Sequence, residues 1–158
     1  MTTLPHSSAA TVLLVRLGAN LFALPLEVIE EVLPELPVES VPGCPSFLRG
    51  VVFVRGHLMP VLDAAVRLGI SDHPRPEELH TVCVRQQERV VGVEFDEATD
   101  LLEIGVEEWL TADEIGNSAG FLRGLIERDG RIIRVLDPEK LIAFDLASVE
   151  GLAGKVGG

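Results

Sequence analysis

The phrase FLRGVVFVRGHLMPVLD at residues 47–63 returns as FLRGLIERDGRIIRVLD at residues 121–137. A chain of 158 residues that writes one structural phrase twice is built as two copies of one plan. The repeat reaches further back. VLLVRLGANLFALPLEVIEEVL (12–33) and TVCVRQQERVVGVEFDEATDLL (81–102) share an outline. Each opens with a β-branched strand ending in Val15-Arg16 or Val84-Arg85. A polar turn follows (18–20 or 86–89), then a second apolar strand (21–24 or 90–93). Next comes a segment with apolar residues three or four apart: Val28, Ile29, Val32 and Leu33, or Ala98, Leu101 and Leu102. That spacing predicts a short helix.

The quoted phrase adds a hairpin to each half. Asp129-Gly130 between two apolar runs is a two-residue hairpin signal, and Arg55-Gly56 takes its place in the first copy. Asp137-Pro138-Glu139 reads as an N-cap with Pro in the first helical position, and Asp63 plays the same part before residues 64–68. Each half therefore holds four or five short strands and is expected to close as a small barrel. The boundaries fall at about 10–70 and 80–140, joined by GISDHPRPEELH (69–80), which carries two prolines and a glycine. Neither half buries much alone, so the two should pack together as one unit over 1–158. Residues from Pro138 to about 152 read as a C-terminal helix, and the final GKVGG is expected to fray.

Charge narrows the function. Thirteen Lys and Arg against 25 Asp and Glu give −12. That excludes nucleic acid, which is bound through basic side chains, and argues against anionic lipid. Between Val90 and Leu122 there is no Lys or Arg, while Glu94, Asp96, Glu97, Asp100, Glu103, Glu107, Glu108, Asp113 and Glu114 all fall there. This stretch is either a solvated face or a surface for a basic partner. Nothing approaches the 18 or so apolar residues of a membrane span, and MTTLPHSSAA does not read as a secretory signal. Cys44 and Cys83 show no disulfide framework, which suits a reducing cytoplasm.

A search for reaction chemistry finds none. GNSAG (116–120) has the outline of a nucleophile elbow, but a hydrolase using Ser118 would need a later histidine, and the last is His80. His80 and Cys83 lack the second ligand pair a tetrahedral metal site requires. His57 and His73 read as surface or interface residues. Glu30-Glu31 and Glu107-Glu108 are adjacent, so neither makes a facing acid–base pair. No catalytic, cofactor or metal site is expected.

Three stretches, in order, carry a family likeness: FLRGVVFVRGHLMPVLD, RVVGVEFDEATDLLEI (89–104) and VLDPEKLI (135–142). With them the chain resembles the CheW-like domain family over roughly residues 10–145. The resemblance implies a mainly all-β fold of two pseudo-symmetric, five-stranded SH3-like barrels with short helices. It implies no enzymatic activity and no cofactor. Members of the family bridge the cytoplasmic tips of chemoreceptors to the regulatory domain of the histidine kinase CheA. They meet the kinase barrel to barrel and the receptor's helical hairpin in a groove between barrels. A cytoplasmic, stand-alone adaptor recruited to membrane-associated receptor arrays is therefore expected. The alternative is a repurposed scaffold for type IV pilus or polarity signalling, binding only one of these partners. The family commonly has Asn-Leu-Arg-Gly where this chain has Phe53-Val54-Arg55-Gly56.

The copies differ in one respect. Where the second hairpin has Glu127, Arg128, Arg131 and Arg134, the first has Phe53, Val54, His57 and Pro60. That apolar surface is either covered by the other half or offered to a partner. Arg55 in a tight turn would carry backbone strain, unless the turn is wider and bulged. The resemblance implies a Glu31–Arg55 pair, and the receptor side is expected to comprise Glu31, Arg55, Ile29, Val32, Leu33, Phe53 and Val54. Trp109, the single tryptophan, is either an exposed anchor or a cap on the second core.

Overall fold

Four two-residue loops set the hairpins. Gly18 and Gln87 both take φ of 59°, Arg55 and Gly56 take 50° and 82°, and Asp129 and Gly130 take 53° and 77°. Positive φ at both central residues, the type I′ signature that matches strand twist, holds for Arg55-Gly56 and Asp129-Gly130, whereas the other two loops have it at the first central residue alone. The computed structural model describes residues 9–70, 73–110 and 120–144. The hairpins are β1 (Ala10–Leu17) with β2 (Asn20–Pro25), β4 (Leu48–Val54) with β5 (His57–Asp63), β6 (His80–Gln86) with β7 (Arg89–Phe95), and β9 (Leu122–Arg128) with β10 (Arg131–Leu136). Single strands β3 (Ile29–Pro34) and β8 (Glu97–Ile104) complete the set, with short helices α1 (Ala64–Arg67) and α2 (Pro138–Leu141). Asp63 and Asp137 cap these helices as expected, each accepting two backbone N–H donors at 2.9–3.3 Å.

The strands form two five-stranded sheets in the orders β8-β1-β2-β10-β9 and β3-β6-β7-β5-β4. Each curls into an SH3-like barrel. The expectation that each half of the chain closes on itself is corrected by these pairings. Strands β3 to β7 form a central barrel, and β1 and β2 join β8, β9 and β10 in a terminal barrel. The two orders map onto each other when the halves are exchanged, so the symmetry is real but interlocked. The chain leaves the terminal barrel through a single 3-10 turn at Leu26–Val28 and returns at Asp96, between β7 and β8.

The exchange follows from side chains that need cover on both faces. In β1 and β2, Leu13, Val15, Leu17, Phe22 and Leu24 enter a core shared by both barrels, while Val12, Leu21 and Ala23 line the terminal barrel. In β6 and β7, Val82, Val84, Val91, Val93 and Phe95 face the shared core, and Cys83 faces the central barrel. Leu62, Ala64 and Ala65 close the shared core on one side and Leu136, Leu141 and Ile142 on the other.

The segments expected as helices after β2 and β7 are strands. Each carries a register break: Ile29 and Glu31 face consecutive residues Val84 and Cys83, and Ala98 and Asp100 face Val15 and Leu14. The bulged residues, Glu30 and Thr99, interrupt the two-residue period and imitate helical spacing. Within the described residues, the expected C-terminal helix extends only from Pro138 to Leu141; residues 145–152 lie outside them. Both cysteines are free.

Two polar clamps hold the assembly. Glu94, 3% exposed, accepts both Arg75 Nη atoms (3.0 and 3.1 Å) and Arg49 Nε (3.1 Å), tying the connection before β6 to β7 and β4. Glu94 therefore does not belong to an acidic face. Arg67, at the end of α1, donates to the carbonyls of Leu141, Lys140 and Ala143 at 2.9–3.3 Å. Its guanidinium lies 4.3 Å from the Phe47 ring centroid and 5.0 Å from that of Phe121. These are the first residues of the two repeated phrases, so Arg67 ties one copy to the other. Arg67→Ala removes charge-assisted hydrogen bonds and cation–π contacts and should cost about 2–3 kcal/mol in urea unfolding. Arg67→Lys cannot reproduce the planar fork and should recover only part of that loss.

Candidate docking site

Strands β3 and β4 are the two edges of the central sheet. An open edge must be paired, covered or blunted. Residues of the loop after β3 cover part of β4 through an isolated bridge, Glu39 to Val51. That approach requires Gly50, which takes φ of 148°; a Cβ there would sit 1.9 Å from the Glu39 carbonyl oxygen. Nearer the hairpin tip, Glu31 of β3 and Arg55 join the two edges. Arg55 Nη2 donates to Glu31 Oε2 at 2.7 Å, and Nη1 donates to Oε1. The pairing implied by the family resemblance is therefore made, in bidentate form.

The turn is tight, so Arg55 takes the left-handed conformation. A non-glycine residue there carries roughly 1–2 kcal/mol of strain. Asp129 occupies the matching place in the other hairpin, and Asp tolerates it better. The pair is exposed, with the Arg55 side chain at 69% and Glu31 at 25% of full accessibility. The hydrogen bond from Arg55 holds the Glu31 carboxyl below the usual carboxylate range, and Glu31 pushes the guanidinium further toward its charged form.

The terminal barrel closes its corresponding seam differently. Arg128 of β9 donates to both oxygens of Glu108 (2.9 and 2.6 Å) and to the Glu103 carbonyl (2.6 Å). This pair is more enclosed, at 28% and 20% exposure. Arg128 lowers the Glu108 carboxyl, helped by the Gly105 N–H.

Strand register answers why one copy is apolar. Val52, Val54, Met59 and Val61 point into the central barrel. Val51, Phe53, Leu58 and Pro60 share the outer face, where the second copy has Leu125, Glu127, Ile132 and Arg134. Burial and presentation divide along this face. Pro60 is buried, whereas Phe53 is 68% exposed.

The residues expected on the receptor side divide likewise. Glu31, Arg55, Phe53 and Val32 reach solvent to different degrees. Ile29 packs against the shared core, and Leu33 and Val54 against the central-barrel core. The anticipated strip of Ile29, Val32 and Leu33 is therefore not continuous, because β3 is a bulged strand and not a helix. Trp109 is half-buried against the terminal-barrel core and pairs through its backbone with Ile126. His73 bonds Asp96 at 2.8 Å, and His80 accepts the Ala98 N–H at 2.8 Å. Both have structural partners, so of the surface or interface roles expected of His73 the exposed one is not observed. Ser118, Asp113 and Glu114 lie outside the described residues. Among the described residues no group of three or more His, Cys, Asp or Glu is placed to hold a metal, and no helix is long and apolar enough to cross a membrane. Sequence reasoning missed the Glu94 clamp and the Arg128–Glu108 seam. The one available signal was a lone Glu inside the apolar run VVGVEF.

Two interlocked SH3-like barrels with an exposed, strained hairpin tip define an interaction module. The chain belongs to the CheW-like domain family, which it matches over residues 11–145. It is 30% identical over 131 residues to a probable chemotaxis protein CheW of Rhizobium etli, covering 81% of this chain and 84% of that protein. It is 32% identical over 116 residues to the chemotaxis protein CheW of Thermotoga maritima, covering 72% and 75%. The fold matches the crystal structure of the scaffolding protein TtCheW of Thermoanaerobacter tengcongensis with a TM-score of 0.77 at 19% identity, over 86% of this chain and 94% of that one. Membership brings the class with it: a non-catalytic scaffold of chemotaxis signalling.

Because the folded Glu31 carboxyl lies below its usual value of 4.5, its contribution is complete above that pH and is lost as pH falls through the lowered value. Glu108 behaves in the same sense. Urea midpoints measured from pH 6 to pH 3 should fall, and Glu31→Gln and Glu108→Gln should each flatten part of that slope.

Proposed function

We propose that this chain couples the cytoplasmic tips of chemoreceptors to the regulatory domain of a CheA-type histidine kinase within a signalling array, to which it is recruited from the cytoplasm. The observation that carries this reading is the Glu31–Arg55 pair at a strained, exposed hairpin tip of one barrel only. A symmetric scaffold with two unlike surfaces suits an adaptor that must hold two different partners. Family membership, and the chemotaxis names of its relatives, support the same reading.

In this mechanism the edge formed by Glu31, Val32, Phe53 and Arg55 meets the receptor tip, and a separate barrel surface meets the kinase. Ile29, Leu33 and Val54 act from behind, by fixing β3 and the β4–β5 hairpin against their cores. The shared core makes the barrels move as one body, so a displacement at the receptor contact reaches the kinase contact. Trp109 remains a candidate partner-binding residue.

The test is calorimetric titration of the full chain with each partner. Both the kinase regulatory domain and a receptor tip fragment should bind with Kd on the order of micromolar. Arg55→Asn suits the turn and breaks the bidentate pair. It should weaken the receptor titration at least tenfold, leave the kinase titration unchanged, and keep or raise Tm. Binding to neither partner overturns the proposal. Binding to one alone moves the chain to a repurposed scaffold.

A further inference from the structure

Phe53 has the greatest exposure of the large apolar side chains that the described residues present to solvent, at 68%. It stands on the outer face of β4 opposite Leu58, with Val51 two residues away. At the matching register the other hairpin carries Glu127 opposite Ile132, so the scaffold itself does not require an aromatic there. Val32, on the other edge of the same sheet, is 41% exposed.

The charges of this edge are already matched within the chain. Glu30 is held by Arg85, Glu31 by Arg55 and Glu35 by Arg75. In a chain of net charge −12, these three glutamates of the edge are each neutralised by an arginine of the same chain. Beside these paired charges, Phe53 offers a partner an apolar contact that the described residues leave mostly uncovered. A second copy is disfavoured as that partner, because two chains of −12 repel. An exposed aromatic beside paired charges has the composition of an interface anchor.

We infer that Phe53 is a specificity residue of the receptor contact: it seats in an apolar notch on the receptor tip, so the chain accepts tips whose contact turn is apolar and rejects tips that present a charged or polar turn. This inference rests on the receptor reading of the same edge.

The experiment titrates the full-length wild type, Phe53→Ala, Phe53→Asn and Phe53→Leu with tip fragments of several receptors from the same genome, and with the kinase regulatory domain. Phe53 is exposed, so Tm should be unchanged in all three variants. Phe53→Ala and Phe53→Asn should weaken the tightest-binding tip about thirtyfold, and Phe53→Leu should recover most of that loss. Phe53→Asn should also gain affinity for tips that the wild type binds poorly, and the kinase titration should not move. If Phe53→Ala binds the tips as the wild type does while Arg55→Asn does not, the receptor reading stands and the inference about Phe53 fails. It fails equally if Phe53→Asn weakens every tip by the same factor, or if the kinase titration changes instead. If the wild type binds no tip, the receptor reading itself fails.

Discussion

Everything in this fold depends on two hairpins that need cover on both faces. β1–β2 and β6–β7 each send alternate side chains into their own barrel and into the core between barrels. That shared core holds sixteen buried residues among those described, against seven in the terminal barrel and three in the central one. Neither barrel has enough interior to stand alone. At about 25 cal/mol per Å² of apolar surface removed from water, the dominant burial lies between the barrels. The strands of both halves are therefore committed to one cooperative unit. The connection before β6 is no free linker either, since Arg75 anchors it to buried Glu94. Removing one member of such a cluster leaves a buried charge unmatched, which costs far more than an exposed pair returns.

Interlocking also bears on function. An adaptor built from two barrels on a flexible linker would dissipate displacement at the joint. Among the described residues, the strands pass from one barrel to the other at Leu26–Val28 and at Asp96, and both crossings border the shared core or its polar rim. Asp96 accepts the Gly18 N–H at 2.8 Å and bonds His73, which fixes the return crossing against the β1–β2 turn. The symmetric interior and the unlike surfaces thus have separate physical origins. Core positions repeat because both barrels solve one packing problem. Outer positions such as Phe53 and Glu127 diverge because packing does not constrain them.

Local features were legible in the sequence. The four hairpins, both aspartate caps and the two-copy plan are written in adjacent residues, and the Glu31–Arg55 pair followed from family likeness. What failed was non-local or disguised. Repeats reveal equivalence but not which copy pairs with which, so the strand exchange was invisible. Bulges at Glu30 and Thr99 broke the strand period and read as helix. A carboxylate in an acidic stretch looks solvated until the fold brings two arginines to it, as it does for Glu94. For the proposed docking edge, the residue types were visible, but their faces were not. Only strand register separates inward Val54 and Leu33 from outward Phe53.

Arg55 shows how magnitudes separate a stabilising contact from a functional one. Its left-handed backbone costs roughly 1–2 kcal/mol relative to a residue that tolerates that region. An exposed ion pair returns little, and less in salt. On stability alone the exchange runs at a loss, and the second hairpin avoids it by placing Asp129 in the turn. The terminal barrel closes its seam with a less exposed pair and no strained cation. The central barrel instead holds a guanidinium, pinned by both carboxylate oxygens, in the turn of its hairpin. Strain that an exposed ion pair does little to offset, at an exposed tip beside an exposed phenyl ring, is the observation on which the proposed docking role of this edge rests.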